Sequence, residues 1–307
     1  MILGPHAIMP AILSQIVQEA AAASEPTRTQ HVLSTVDQAL SAGALVLVVC
    51  TGVWWTARSG PDPLRSAPAR PNQLREDAVA LAVLVYLLAM VLISGLVELA
   101  TGQTEDVLAT AVTGNGAHLA GIGICLFIAA RSFDGGIRRF WFAEGGPRRR
   151  PWITITLALT VLATGLCPLV RDATMGIILY FAPGYEFDPH PTIEALHDQT
   201  QPVGLIIGLW AGAVLVAPMA EEVFFRGLLQ TLLVRLARSR WLSIALVSLA
   251  FGAVHFQQPH AMAALAVLAV LIGYAYERTG SLVPPIVIHA AFNLKTLIWD
   301  ALGAFPT

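Results

Sequence analysis

The chain has 307 residues, of which 56% are hydrophobic and only 12% charged, with a mean hydropathy of +0.67. Soluble domains carry about a quarter charged residues, so this composition excludes a soluble fold and describes an integral membrane protein. The net charge of −2 hides basic runs that flank apolar segments, a pattern that sets topology and anionic-lipid contact and gives no support to nucleic-acid binding. Three cysteines, Cys50, Cys125 and Cys167, lie in apolar runs without CxxC or Cys/His spacing. Neither a disulfide framework nor a structural zinc site is indicated, and burial as small apolar side chains is expected.

Taken in order, Met1 to Ala23 is apolar but lacks the basic stretch that opens a signal peptide. Pro10, Gln15, Gln18 and Glu19 interrupt it as a spanning helix, so an interfacial helix is expected within 1–38. Apolar runs long enough to span follow at about 39–57, 78–100, 111–130, 151–170, 203–234, 241–256, 260–276 and 282–300. The expected fold is all-α: a polytopic bundle of about eight spans with a polar cavity in its C-terminal half. N-terminal helices and loops occupy 39–200, and a core region 201–307.

The basic residues alternate between loops. Arg58, Arg65, Arg70 and Arg75 lie between spans one and two, and Arg131, Arg138, Arg139 and Arg148 to Arg150 between three and four. Arg235, Arg238 and Arg240 follow span five, and Arg278 follows span seven. Fourteen of the 18 basic residues thus fall on one face, the cytoplasmic one by the positive-inside rule. Both termini and the acidic loop 172–201 are then external. Met175 to Phe181 is too short to span and reads as a cap or re-entrant piece. Segments 58–75 and 132–150 read as cytoplasmic linkers, and the lone Glu98, His118 and His260 as solvated or interhelical polar groups. Gly114, Gly116, Gly121 and Gly123 suggest close helix packing. Tyr274, Tyr276 and Glu277 fit an interfacial anchor or the lip of a substrate path.

Three polar groups interrupt the last spans: Glu221, Glu222 and Arg226; Phe251 and His255; His289 and Asn293. Ionisable groups at membrane depth are costly and persist mostly where they pair or do chemistry. Positions four apart share a helical face, so Glu222 can reach Arg226, and His289 and Asn293 point together. Glu221 lies about 100° round from Glu222, which allows the two carboxylates different tasks. Counted along helices, Glu221 and His255 lie about 21 Å from the cytoplasmic ends, and His289 and Asn293 about 12 and 18 Å, a common layer. Pro218 is expected to kink the long fifth span. A carboxylate in apolar surroundings can activate water, and histidine with an amide can stabilise an oxyanion. Hydrolysis of an acyl or peptide bond within the membrane is one reading. A non-catalytic scaffold held by hydrogen bonds and a proton-coupled transporter are the others.

In this order, Glu-Glu-x-x-x-Arg, Phe-x-x-x-His and His-x-x-x-Asn resemble the motifs of the CPBP family of intramembrane proteases, which includes the type II CAAX prenyl endopeptidases. The resemblance covers about 200–300. It implies a peptidase in which Glu221 and His255 activate water, His289 and Asn293 stabilise the oxyanion, and Glu222, Arg226 and Phe251 support them. It implies a membrane-associated peptide or protein as substrate, membrane lipids as surroundings, and a multi-pass protein of the cytoplasmic membrane. No cofactor is expected. Zinc on Glu221, Glu222, His255 and His289 is the alternative, although Arg226 would compete for Glu222, asparagine is a poor ligand and the pattern H-E-x-x-H is absent.

Overall fold

The computed structural model describes residues 27–57, 62–102, 107–144, 149–187, 191–198 and 201–303. The interfacial helix expected near the N-terminus lies largely outside these residues. Among them the structure is helical: α1 Arg28–Ala57, α2 Glu76–Thr101, α3 Val107–Ser132, α4 Gly136–Trp141, α5 Arg149–Phe181 and α6 Pro191–His197 precede the core region. There follow the segmented helix α7, Val203–Ala237, then α8 Arg240–Ala253, α9 Pro259–Thr279 and α10 Val283–Ala301. All the expected spans are helices. Six helices are long and apolar enough to cross a membrane, and α8 is a shorter apolar one.

Two boundaries differ from expectation. Helix α1 begins at Arg28 rather than near 39, and the piece Met175 to Phe181 is the end of α5, not a separate cap. Arg171 and Asp172 bond to one another at 2.9 Å, so neither charge needs to end the helix there. Large apolar side chains such as Leu92, Leu96 and Leu99 stand exposed along α2, as lipid-facing positions must.

The four basic loops meet at one end of the bundle, which supports the alternation read from their charges. Gln73 N–H donates to Ser132 O, Ala143 N–H to Gly280 O, and Arg240 to the carbonyls of Leu64 and Pro68. Segment 62–75 is therefore a packed strap, its Leu64 and Leu74 buried. A cluster of Leu74, Phe133, Phe140, Val223, Leu228, Tyr276 and Leu282 seals this end. Tyr276 and Glu277 are buried there, not interfacial anchors. Within 132–144, residues Gly136–Trp141 form α4, with Phe140 buried.

The opposite side of the core joins α5, α9 and α10 through Leu159, Ala163, Cys167, Leu268, Ile272 and Ile288. Helix α1 lies so close to α5 that a Cβ at Gly165 would sit 2.4 Å from Leu40 O. Ser41 Oγ donates to Gly165 O at 3.0 Å across the same contact. Helix α1 also meets α10, where Lys295 Nζ lies 2.6 Å from Asp37 Oδ1. Of the suggested glycine stripe, Gly116 meets Ile93 and Gly121 meets Tyr86, while Gly114 and Gly123 face open space. Cys125 and Cys167 are buried but Cys50 is exposed. His260 packs edge-on against Phe187 at 5.2 Å.

Candidate active site

The two glutamates owe their placement to Pro218. Proline lacks the N–H that an α-helix bonds to residue i−4, and its ring crowds that carbonyl. Helix α7 responds by widening rather than by breaking. The stretch Gly212–Val216 is π-helical, and Ala217 N–H donates to Gly212 O, five residues back. In that register Ala213 O would accept from residue 218, which has no N–H to give. Asn293 Nδ2 of α10 donates to Ala213 O at 2.9 Å and fills the gap. From the other side, Asn115 of α3 presses so closely that a Cβ at Gly212 would meet its Oδ1 at 2.5 Å. A second π stretch, Val223–Gln230, carries Arg226. Short π segments often mark functional sites, and here they bracket the α-helical turn Ala217–Glu222 that bears both carboxylates.

Their environments differ as the angular argument requires. The Glu222 side chain is 0% exposed and its Oε1 accepts from Arg226 Nη1 at 3.0 Å, while Glu221 is 23% exposed. Arg226 Nη2 also donates to Ala269 O at 3.2 Å, tying α7 to α9. His289 stands between the two carboxylates. Its Nδ1 lies 2.8 Å from Glu222 Oε1 and its Nε2 lies 3.8 Å from Glu221 Oε2. A carboxylate neutralised by Arg226 accepts, so Nδ1–H donates and Nε2 is turned towards Glu221. The pairing of Glu222 with His289 as well as Arg226 was not visible in the sequence.

His255 stands in the turn that follows α8, one residue beyond Val254, instead of on the helix. Its Nδ1 donates to Phe251 O at 2.8 Å, which leaves Nε2 as an acceptor. Phe251 is the spacer of the site: its buried ring lies 5.0 Å from the His255 ring, 5.7 Å from that of His289 and 5.1 Å from that of Phe225. The Arg226 guanidinium lies 5.1 Å from the same ring. The structure thus brings Glu221, Glu222, Arg226, His289, Phe251 and His255 into one connected group. Among the described residues no hydrogen bond joins His255 to Glu221 or Asn293 to His289. Asn293 acts on the backbone of α7 instead.

Two further residues face the site from the N-terminal helices. The rings of Tyr86 on α2 and His118 on α3 stack at 5.6 Å, and Glu221 lies within electrostatic reach of both. His118 Nδ1 is buried without a hydrogen-bond partner. A lone histidine within the apolar span three was the only sequence signal for this.

The zinc alternative would draw on Glu221, Glu222, His255 and His289. No three His, Cys, Asp or Glu side chains converge as metal ligands among the described residues, and Glu222 Oε1 is already shared by Arg226 and His289. No step below is routed through a metal.

No curated protein and no solved structure matches the chain. Residues 203–295, less than a third of the length, match the model of a family described as Type II CAAX prenyl endopeptidase Rce1-like. That stretch runs from the first turn of α7 to Lys295 and includes every residue of the three polar motifs. The match covers the stretch that carries Glu221, His255 and His289, the same residues on which the resemblance drawn from the sequence rests, in a chain whose long apolar helices mark a multi-pass membrane protein.

Proposed function

We propose that the protein is an intramembrane endopeptidase that hydrolyses a peptide bond of a membrane-associated peptide or protein, without a metal. The observation that carries this reading is the contrast between the two glutamates on either side of His289: Glu222 sealed and neutralised, Glu221 partly accessible. A water beside Glu221 loses a proton to that carboxylate as its oxygen attacks the scissile carbonyl. His255, with Nδ1–H fixed on Phe251 O, offers Nε2 as acceptor to the same water. His289, held by Glu222 through Nδ1, turns Nε2 to the developing oxyanion, which it serves as a donor when that nitrogen carries a proton. Asn293 uses one amide hydrogen on Ala213 O and has a second for the oxyanion. Collapse of the tetrahedral intermediate breaks the C–N bond, and the proton held by Glu221 passes to the leaving amine. The positive-inside bias orients the basic loops to the cytoplasmic side, and the cytoplasmic membrane is the proposed location.

The test compares wild type with Glu221→Gln, each reconstituted with a library of membrane-anchored peptides and read by mass spectrometry. New peptide termini are expected with wild type alone, unchanged by a chelator. Equal cleavage by Glu221→Gln removes this residue as the base, and cleavage lost to the chelator replaces the metal-free mechanism by a metal-dependent one.

A further inference from the structure

A cavity of about 260 Å³ opens at the basic end of the bundle and includes none of the motif residues. Its wall comes from the strap (Arg70, Asn72), from α7 (Thr231, Arg235), and from Arg240 and Glu277. Three guanidiniums therefore face one carboxylate. Topology alone asks for exposed arginines at this end, but the Arg70 side chain is 6% exposed. Burying a charge is expensive unless it is well paired, and Arg70 is not. Its Nη2 donates to Tyr276 O at 2.8 Å and its guanidinium lies 3.6 Å from the Tyr276 ring centroid. Its Nη1 stays 3.8 Å from Glu277 Oε2, and its Nε is buried with no partner.

Glu277 is an incomplete counter-ion for the group. Its Oε1 accepts from Gln230 Nε2 at 2.9 Å, and its Oε2 lies 3.7 Å from Arg240 Nε, beyond hydrogen-bond range for either arginine. Arg240 donates its other nitrogens to the Leu64 and Pro68 carbonyls only at 3.4 and 3.3 Å. Arg235 forms no ion pair among the described residues. The nearby Asp62, whose Oδ1 accepts from Trp241 Nε1 and from Leu64 N–H, both at 2.9 Å, adds a second negative charge on the Arg240 side, so three guanidiniums still outnumber two carboxylates.

We propose that this cavity binds a phosphate group, held by Arg70, Arg235 and Arg240. Guanidinium forks match phosphate oxygens in geometry as well as charge. A basic pocket between helices at the cytoplasmic side is how membrane proteins take the headgroup of an anionic lipid. The volume falls just below the roughly 300 to 1,000 Å³ of pockets for drug-sized ligands, which suits a headgroup or a free phosphate. The cavity is walled by the strap on one side and by α7 on the other, so an occupant would bridge them.

The experiment uses the delipidated full chain in detergent, with thermal unfolding read against inorganic phosphate at constant ionic strength. In parallel, native mass spectrometry counts retained lipid after mixing with phosphatidic acid or with phosphatidylcholine. Saturable stabilisation by inorganic phosphate identifies a free anion as a sufficient ligand. Selective retention of phosphatidic acid without a phosphate effect identifies the headgroup. In either case Arg235→Gln, an exposed and unpaired position whose loss does not threaten folding, weakens binding about tenfold, the 1.4 kcal/mol of one charge-assisted contact. Arg70→Gln weakens it further. Binding unchanged in Arg235→Gln and Arg70→Gln, or stabilisation by chloride equal to that by phosphate, overturns the proposal.

Discussion

Asn293 and Pro218 form a pair whose logic is testable by a double-mutant cycle. Asn293 Nδ2 donates at 2.9 Å to Ala213 O, the carbonyl that the π register leaves without a backbone donor because residue 218 is proline. Asn293→Ala removes that donor in a part-buried setting, and an unsatisfied acceptor there costs about 1–2 kcal/mol. Pro218→Ala supplies a new N–H at residue 218, in reach of Ala213 O. In that background Asn293→Ala therefore costs less than about 0.5 kcal/mol, so the coupling between the sites is about 1 kcal/mol. The assay is reversible unfolding of the four proteins in mixed micelles, with cleavage rates measured alongside. The same loss on Asn293→Ala in both backgrounds refutes the idea that this asparagine compensates the proline. If it does compensate, Pro218→Ala also moves Glu221 and Glu222, and the double variant regains stability without regaining activity.

Glu222→Gln leaves the Arg226 charge, which is 0% exposed, without its partner and is expected to destabilise the fold by about 3–5 kcal/mol. Adding Arg226→Met restores most of that stability but not cleavage, since His289 Nδ1 then meets a neutral amide oxygen in place of a carboxylate; recovered cleavage would show that the Glu222 charge serves folding alone. Gly165→Leu forces a side chain against Leu40 O and is expected to cost about 1–3 kcal/mol, with cross-linking between α1 and α5 as readout; an unaltered melting curve would place the two helices further apart. Outside the spans, the Asp62 carboxyl is held below its ordinary 3.8 by the Leu64 N–H and then by the Trp241 indole. A depressed carboxyl contributes stability above its unfolded value and loses it as pH falls through the folded one. Trp241 emission, isolated by difference from Trp241→Phe, should therefore change with a midpoint below pH 3.8 and not at all in Asp62→Asn. A transition at higher pH would contradict the hydrogen bonds drawn for Asp62.

Much of this architecture is legible in the chain because the membrane makes polarity informative. Long apolar runs mark helices, arginine-rich loops mark one end, and the intramembrane Glu221, Glu222, Arg226 and His289 stand out against their surroundings. What escaped was set by backbone hydrogen bonding or by distant contacts. Hydropathy cannot distinguish i−4 from i−5 bonding, so Pro218 suggested a kink where the helix holds two π stretches. The same blindness put His255 on a helix that ends at Ala253. The strap around Leu64 and Arg70 read as a linker because its partners, Tyr276 and Arg240, lie far along the sequence. His118 looked isolated, since the stacking that joins it to Tyr86 crosses two helices.

The ion pair between Asp37 and Lys295 carries a consequence for biogenesis. Helix α1 enters the bilayer bearing an aspartate whose counter-ion belongs to α10, synthesised last among the described helices. Until α10 arrives, Asp37, near the outer end of α1, is without that counter-ion. The close seat at Gly165 becomes available only when α5 is made. Helix α1 is thus an early guest that docks late, and a ribosome-bound intermediate stalled before α10 should present a loosely held α1 to the insertion machinery.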